Sequence, residues 1–308
     1  LTFSDKLLDH KTNNYIACLF TRDEKCGIAF CDISTGEFLA CEIAFKNVKD
    51  QLELIGPAEI IISKSQKALF ANVFDMEHNP LVQARITVTK LDEWIFNFDY
   101  CNELLLSQFK TKSLKGYGLD EYPLGVIAAG GIMSYINETQ KGNLTHINKI
   151  AYYDTSDYII LDDSTKRNLE IISSMAGGSR EGTLISILDR TQTAMGARLL
   201  KNWISRPLKK LSQIHKRQQC VVEFYENKPL WGNLTAQFKN IGDLERLISK
   251  IATARAVARD LINLKYSLKN ISEVKQELLK AEAKTLKDIN NNLKELNDLT
   301  ELIDASIN

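Results

Sequence analysis

The chain is poor in proline, with five in 308 residues, and has neither proline nor glycine after Gly242. That suits long, stiff helices in its last part. No run of about 18 apolar residues is present and no signal-peptide pattern opens the chain, which reads as cytoplasmic with no membrane partner. Histidines are scarce and scattered, at 10, 78, 146 and 215. The six cysteines, at 18, 26, 31, 41, 101 and 220, form no Cys-x-x-Cys pair, so no zinc site is expected. Four of them fall in apolar, strand-like runs, where a reduced thiol behaves as a small hydrophobe. A phosphate-binding loop is also missing. Gly125 and Gly130 have its glycine spacing, but Gly131 stands where its lysine is needed, inside an apolar run. No Ser-His-Asp or Cys-His grouping can be assembled. No metal ligand set, cofactor cradle or catalytic group is therefore assigned.

What is present is an ordinary globular composition, 44% hydrophobic and 25% charged, at a length that suits two domains. Net charge is zero but unevenly placed. Residues 1–150 carry 15 basic and 19 acidic side chains, residues 151–308 carry 24 and 20, and 162–220 alone carry 11 and 5. Such a basic stretch can face phosphate, although a solvated face is the commoner use. The chain opens on Leu1 and closes at Asn308 inside a helical pattern, so it reads as an excised piece of a longer protein.

Residues 1–150 read as α/β. YIACLF (15–20), CGIAFCDIS (26–34) and EFLACEIAF (37–45) are strand-like, with a tight turn at Thr35-Gly36. A helix suits 47–55 and a buried strand 58–63. A second strand at 85–89 follows a loop with Asn79-Pro80, and helices fit 99–109 and 124–139. Three antiparallel strands followed by alternating helices and strands is the order of a ribonuclease-H-like fold. Nucleases of that fold hold metal with carboxylates, and Asp32 stands near where the first would be. The competing reading is that Asp32 orders the turn before Gly36.

From 151 onwards the pattern turns helical, after one short strand at 158–161. Asp163 and Ser164 can cap a helix, with Leu169, Ile171 and Ile172 as apolar contacts. The run Met175–Ser179 reads as a flexible loop. Thr183 starts a short helix with Leu184, Ile187 and Leu188 at core spacing. Thr193 starts a longer one in which Met195, Leu199, Leu200, Trp203 and Ile204 bury one side until Pro207 ends it. A helix over 211–226 has Ile214, Val221, Val222 and Tyr225 as inner positions. Amphipathic patterns follow over 244–251, 254–282 and 284–307, and Leu261, Leu264, Leu268, Ile271 and Val274 share one face.

Together these residues carry a resemblance. Asp163, Arg167, Asn168 and Leu169, then Leu188, Asp189, Arg190 and Thr191, then Met195, Gly196, Arg198 and Trp203 follow the core signature of the mismatch-repair MutS family. Asp243, Glu245 and Arg246, and later Arg259 and Asp260, are similar to its two later core motifs. Ala194 and Ala258 depart from it, since the family usually has proline there, which relaxes a helix start.

The resemblance implies a ribonuclease-H-like α/β connector domain over 1–150, followed by the first part of an all-α core and lever domain over 151–308. It implies a piece without the family's mismatch-binding, clamp and ATPase domains. The family's Phe-x-Glu wedge is spelled by Phe224-Tyr225-Glu226, but inside a helix of the core, so no wedge function carries over. Mismatched double-stranded DNA, ATP or ADP with magnesium, MutL and a homodimer belong to the full-length protein. Arg167, Arg190 and Arg198 would serve interdomain contacts and helix ends. Asp99 and Glu103 would lie on a MutL-docking surface. The other classes open at this point are a metal-dependent nuclease using Asp32 and an autonomous DNA-binding module using the 162–220 basic region.

Overall fold

The computed structural model describes residues 9–71, 73, 86–139, 144–159, 161, 163–175 and 179–307. The chain divides into two compact units, the first reaching Thr155 and the second taking nearly all that follows.

The first unit is built on a mixed sheet in the order β5-β4-β1-β2-β3-β6. Strands β1 (Tyr15–Arg22), β2 (Lys25–Asp32) and β3 (Glu37–Ala44) form an antiparallel meander. β4 (Glu59–Ser63) runs parallel to β1, β5 (Thr87–Leu91) parallel to β4, and the short β6 (Ala151–Tyr152) parallel to β3. Alternate residues of β1 enter different cores: Ile16, Cys18 and Phe20 on one face, Tyr15, Ala17 and Leu19 on the other. Burial on both faces is why these strands read as continuous apolar runs.

Helix α1 (Val48–Ile55) is capped by Gly56 in the left-handed conformation and contributes to the second of these cores. Helices α2 (Phe98–Phe109) and α3 (Pro123–Thr139) contribute to the first. The glycines of α3 permit close packing. A side chain at Gly125 would press on the Cys41 backbone, one at Gly130 on Cys101, and one at Gly131 on the Cys18 sulfur. The phosphate-loop-like glycine spacing is therefore a packing surface.

The second unit is helical: α4 (Asp163–Asn168), α5 (Leu184–Leu188), α6 (Ala194–Ser205), α7 (Leu211–Glu226), α8 (Lys228–Phe238), α9 (Leu244–Ala252), α10 (Ala258–Leu278), α11 (Lys284–Asn292) and α12 (Asn297–Ser306). Thr183 and Thr193 cap α5 and α6 as their sequence suggests, accepting from the amides of Ser186 and Gly196. Leu264, Leu268 and Val274 line the buried side of α10, with Leu261 and Ile271 packed beside them.

Several sequence expectations are corrected. Tyr158 makes an isolated antiparallel bridge to Leu208, and Ile160, inside the strand expected over 158–161, lies outside the described residues. Ile171 is buried and Leu169 is exposed. Leu184, Ile187 and Leu188 are exposed on α5, and Ile185 is its buried residue. On α6, Leu199 and Trp203 face solvent, while Ala197, Arg198 and Ser205 are buried. On α7, Val221, Val222 and Tyr225 are exposed, and Cys220 and Phe224 are the side chains packed against a core. The pattern over 254–282 starts four residues later as α10 and ends at Leu278, and that over 284–307 is two helices. Asn79-Pro80, Arg85, and Gly177-Gly178 with the centre of the loop expected there lie outside the described residues, as do the side chains of Asp163 and Ser164.

Candidate functional site: a buried ion-pair lock

Arg198 lies midway along α6, on the side turned away from Leu199 and Trp203. A guanidinium that is 3% exposed must have partners, because an unpaired buried charge is strongly unfavourable. They come from the segment that starts α9. Its Nη1 and Nη2 donate to the two Asp243 oxygens at 2.8 Å each, and Nη2 also donates to Glu245 at 2.5 Å. Burial works against the charge, but the hydrogen bonds and charges of Asp243 and then Glu245 outweigh it and hold Arg198 above its usual range. The paired fork is a geometry that arginine can make and lysine cannot.

Asp243 has a second role at the start of α9. Its Oδ1 accepts from the Arg246 amide at 3.4 Å, and its carbonyl accepts from Leu247 at 2.9 Å. Arg246 is itself 5% exposed, with its Nε 3.8 Å from Asp243. Gly242, one residue earlier, donates its amide to Ser267 of α10 at 2.9 Å. Residues far apart in sequence thus tie α6, α9 and α10 together.

Two smaller polar pins flank this lock. Asp189 closes the turn between α5 and α6, its Oδ1 accepting from the Thr191 hydroxyl at 2.5 Å and amide at 3.2 Å, while Oδ2 pairs with Arg180 at 2.5 Å. Asp260, in the first turn of α10, accepts from the Val257 amide at 3.0 Å and from Lys250 of α9 at 3.4 Å. Val257 has no side-chain oxygen, so this is half of a capping box.

The remaining signature residues are not brought to one place. Arg167, Asn168, Arg190 and Arg259 are on the surface, Arg167 in the last turn of α4, where a cation suits the helix dipole. Met195 is half-buried, and the Gly196 amide serves the Thr193 cap at 3.0 Å. Trp203 carries the Arg217 guanidinium 3.6 Å above its ring. Burial lowers Arg217, opposed in part by Tyr158. Arg180 and Ser267 belong to the polar framework but were not legible, because no local pattern marks their distant partners.

In the first unit, Asp32 is fully buried and its carboxylate is engaged by its own surroundings. Oδ1 accepts from the Ser34 amide at 2.9 Å and hydroxyl at 2.7 Å, and Oδ2 from the Asn14 amide and Asn13 side chain at 3.1 Å each. Its carbonyl also accepts from Gly36, which has φ +78°, at 2.8 Å. This is the turn-ordering role. Among the described residues no group of three or more His, Cys, Asp or Glu is placed to hold a metal ion. Asp99 and Glu103 are exposed on α2. Nearby, Trp94 and Phe98 are 62% and 42% exposed, and Trp94 meets Tyr100 edge-on at 5.2 Å.

Comparison with known proteins matches residues 14–148 to the family model "MutS domain II" and residues 164–308 to "MutS domain III". The chain is similar to the DNA mismatch repair protein MutS of Salinibacter ruber, 36% identical over 100% of this chain and 34% of that protein. It is 38% identical to the protein of the same name from Christiangramia forsetii, over 100% of this chain and 34% of the relative. The corresponding figures for that of Cytophaga hutchinsonii are 39%, 91% and 31%. The chain spans about a third of the length of the curated relatives it matches.

Proposed function

The chain belongs to the MutS family, carrying its domains II and III, and from that premise we propose that it is the connecting and relaying part of a DNA mismatch-repair protein. The observation that carries this reading is the Arg198 lock, which joins two signature segments 45 residues apart into one stiff element. Relay between distant sites needs elements that move as bodies, and a charged fork between helices supplies such a connection. Residues 1–150 act as a ribonuclease-H-like connector, a reading supported by the antiparallel β1-β2-β3 meander with β4 and β5 added in parallel. Residues 151–308 act as the first part of the core and lever.

The chain does no catalysis in this proposal. Mismatched DNA, ATP or ADP with magnesium, and the homodimer are engaged by the full-length cytoplasmic protein. No helix among the described residues is long and apolar enough to cross a membrane. MutL docks on the exposed acidic and aromatic surface of α2, at Asp99 and Glu103 beside Trp94. A pull-down that is indifferent to Asp99→Lys with Glu103→Lys would count against this docking.

The first test is titration of the 308-residue chain into labelled duplexes with and without a G·T mismatch, at two salt concentrations. Weak, salt-sensitive binding without mismatch preference is expected. Tight binding that favours the mismatch would overturn the relay assignment.

A further inference from the structure

Between α10 and α11 the fold departs from its local sequence. Residues 279–284 read Leu-Lys-Ala-Glu-Ala-Lys, all strong helix formers. Yet α10 ends at Leu278, α11 begins at Lys284, and Ala283 is extended at φ −60°, ψ 129°. A helix that starts inside such a sequence needs the chain before it held out of helical form. Glu223, on α7, does this. Its Oε1 accepts from the Glu282 amide and its Oε2 from the Ala283 amide, both at 2.6 Å. Ala283 has no side chain that could cap α11; the Glu223 carboxylate, some sixty residues away, instead holds the amide of this N-cap residue and the one before it, and sets beside the helix start the charge it favours. Ala281 completes the bend, 2% exposed in a cluster with Leu230, Leu234, Val274, Leu278 and Leu286.

Beyond the bend, α12 lies back against α10. Ile303 and Ile307 pack with Leu264 and Leu268, and ion pairs run along the rim. Asp304 reaches Lys265 at 2.6 Å and Lys269 at 2.8 Å, while Glu295 reaches Ser272 at 3.0 Å and Lys275 at 3.4 Å. Such exposed pairs weaken in salt.

We propose that residues 279–283 are a two-state joint whose catch is Glu223. In the bent state Glu223 holds the Glu282 and Ala283 amides and α12 folds back on α10. In the straight state α10 runs through the joint into α11 as one helix ending at Asn292. The bent state keeps two charge-assisted amide bonds, the burial of Ala281 and the fold-back contacts. The straight state recovers the helical hydrogen bonds across the joint, through residues that favour them. Two arrangements of one segment with opposing gains are what a conformational switch requires.

Spin labels on Tyr266→Cys and Leu302→Cys, at positions 59% and 62% exposed, read the joint in the full chain. The background carries Cys220→Ser, since the other five cysteines are buried. A single short distance is expected with Glu223 present. A continuous helix carries Asn292 to about 39 Å from Tyr266 at about 1.5 Å per residue and takes α12 away from its place on α10, so Glu223→Ala should add a second population at clearly longer distance. Adding Ala283→Pro should abolish that population, because the ring blocks helix continuation while φ −60° already suits proline. A distance that stays short in Glu223→Ala, or a long population that survives Ala283→Pro, would overturn the proposal. If Glu223→Ala does not fold, the unsubstituted joint is read at low and high salt. High salt must then raise the long population, and an unchanged distance refutes the joint.

Discussion

The two units hold themselves together in different ways. The first buries whole strands: every residue of β4 is buried, and Phe30 of β2 lies fully buried with Tyr15 and Tyr153 edge-on to its ring. The second exposes apolar side chains such as Leu188, Leu199, Trp203, Val221 and Tyr225, and joins its helices through polar pins at Asp189, Arg198, Asp260 and Glu223. Packing is non-directional and tolerates small changes of angle. A forked ion pair fixes one register and fails abruptly when a partner is lost. The first unit thus relies on buried area, and the second adds a few specific bonds to two small apolar clusters, around Leu230 and around Leu264.

The largest effect that can test this contrast lies in the first unit. Phe30→Ala should cost about 3–5 kcal/mol, because it opens a cavity between the two tyrosine rings. The cysteines report it unit by unit. Cys18, Cys26, Cys31, Cys41 and Cys101 are buried in the first unit, and burial pushes the Cys101 thiol up to about 12. Cys220, half-buried in the second, also has its thiol raised by burial, but it is the accessible one. A thiol reagent should count one fast cysteine in the native chain, and Phe30→Ala should release the other five at lower denaturant. Fast reaction of several thiols in the unsubstituted chain would break the contrast.

Next comes the lock. Arg198→Ala leaves Asp243 and Glu245 facing a site without its cation. Removing one partner of a buried pair costs about 3–5 kcal/mol, and the 46% exposure of the Glu245 side chain moves the expected loss to about 2–3 kcal/mol. Arg198→Lys should recover only part of it, since an ammonium cannot span both Asp243 oxygens. Denaturation followed through Trp203 and Trp231 in a Trp94→Phe background reads the second unit, and equal stability of the arginine and lysine forms would show that the fork is not what matters.

The same contrast explains what was legible in the sequence. Strands β1 to β5, the helix over 211–226 and the threonine caps follow from periodicity, turn residues and capping chemistry, which are local, whereas the two-residue β6 carries no such pattern. The buried side of a helix with two apolar stripes is not local. On α7, Val221 and Tyr225 form one stripe and Cys220 and Phe224 another, and only the partner decides which is covered. On α6 the apolar stripe loses to a buried arginine because its carboxylates arrive 45 and 47 residues later. The break at 279–283 is hidden for the same reason. Its determinant, Glu223, sits on another helix.

A smaller effect concerns helix starts. Ala194 and Ala258 are the first residues of α6 and α10. The residues before them, Thr193 at φ −118°, ψ 150° and Val257 at φ −104°, ψ 166°, already have the extended backbone that proline demands of its predecessor. Proline at the first helical position loses no internal bond. Ala194→Pro and Ala258→Pro should each raise stability by about 0.4–1 kcal/mol by restricting the unfolded chain. A loss at either position would mean that the helix start is strained in a way its backbone angles do not reveal.

The smallest expected effect is the most discriminating for the contrast itself. Val221 is 66% exposed and Tyr225 77% exposed. If stability of the second unit resides in its pins, Val221→Ser and Tyr225→Ser should each change it by no more than about 0.5 kcal/mol. Had these side chains been core, as the spacing on α7 suggests, each loss would be several times larger. Denaturant midpoints measured beside Arg198→Ala place both kinds of residue on one scale. A large loss from Val221→Ser would show that the exposed stripe is buried in solution, and the second unit would then be held by packing, as the first is.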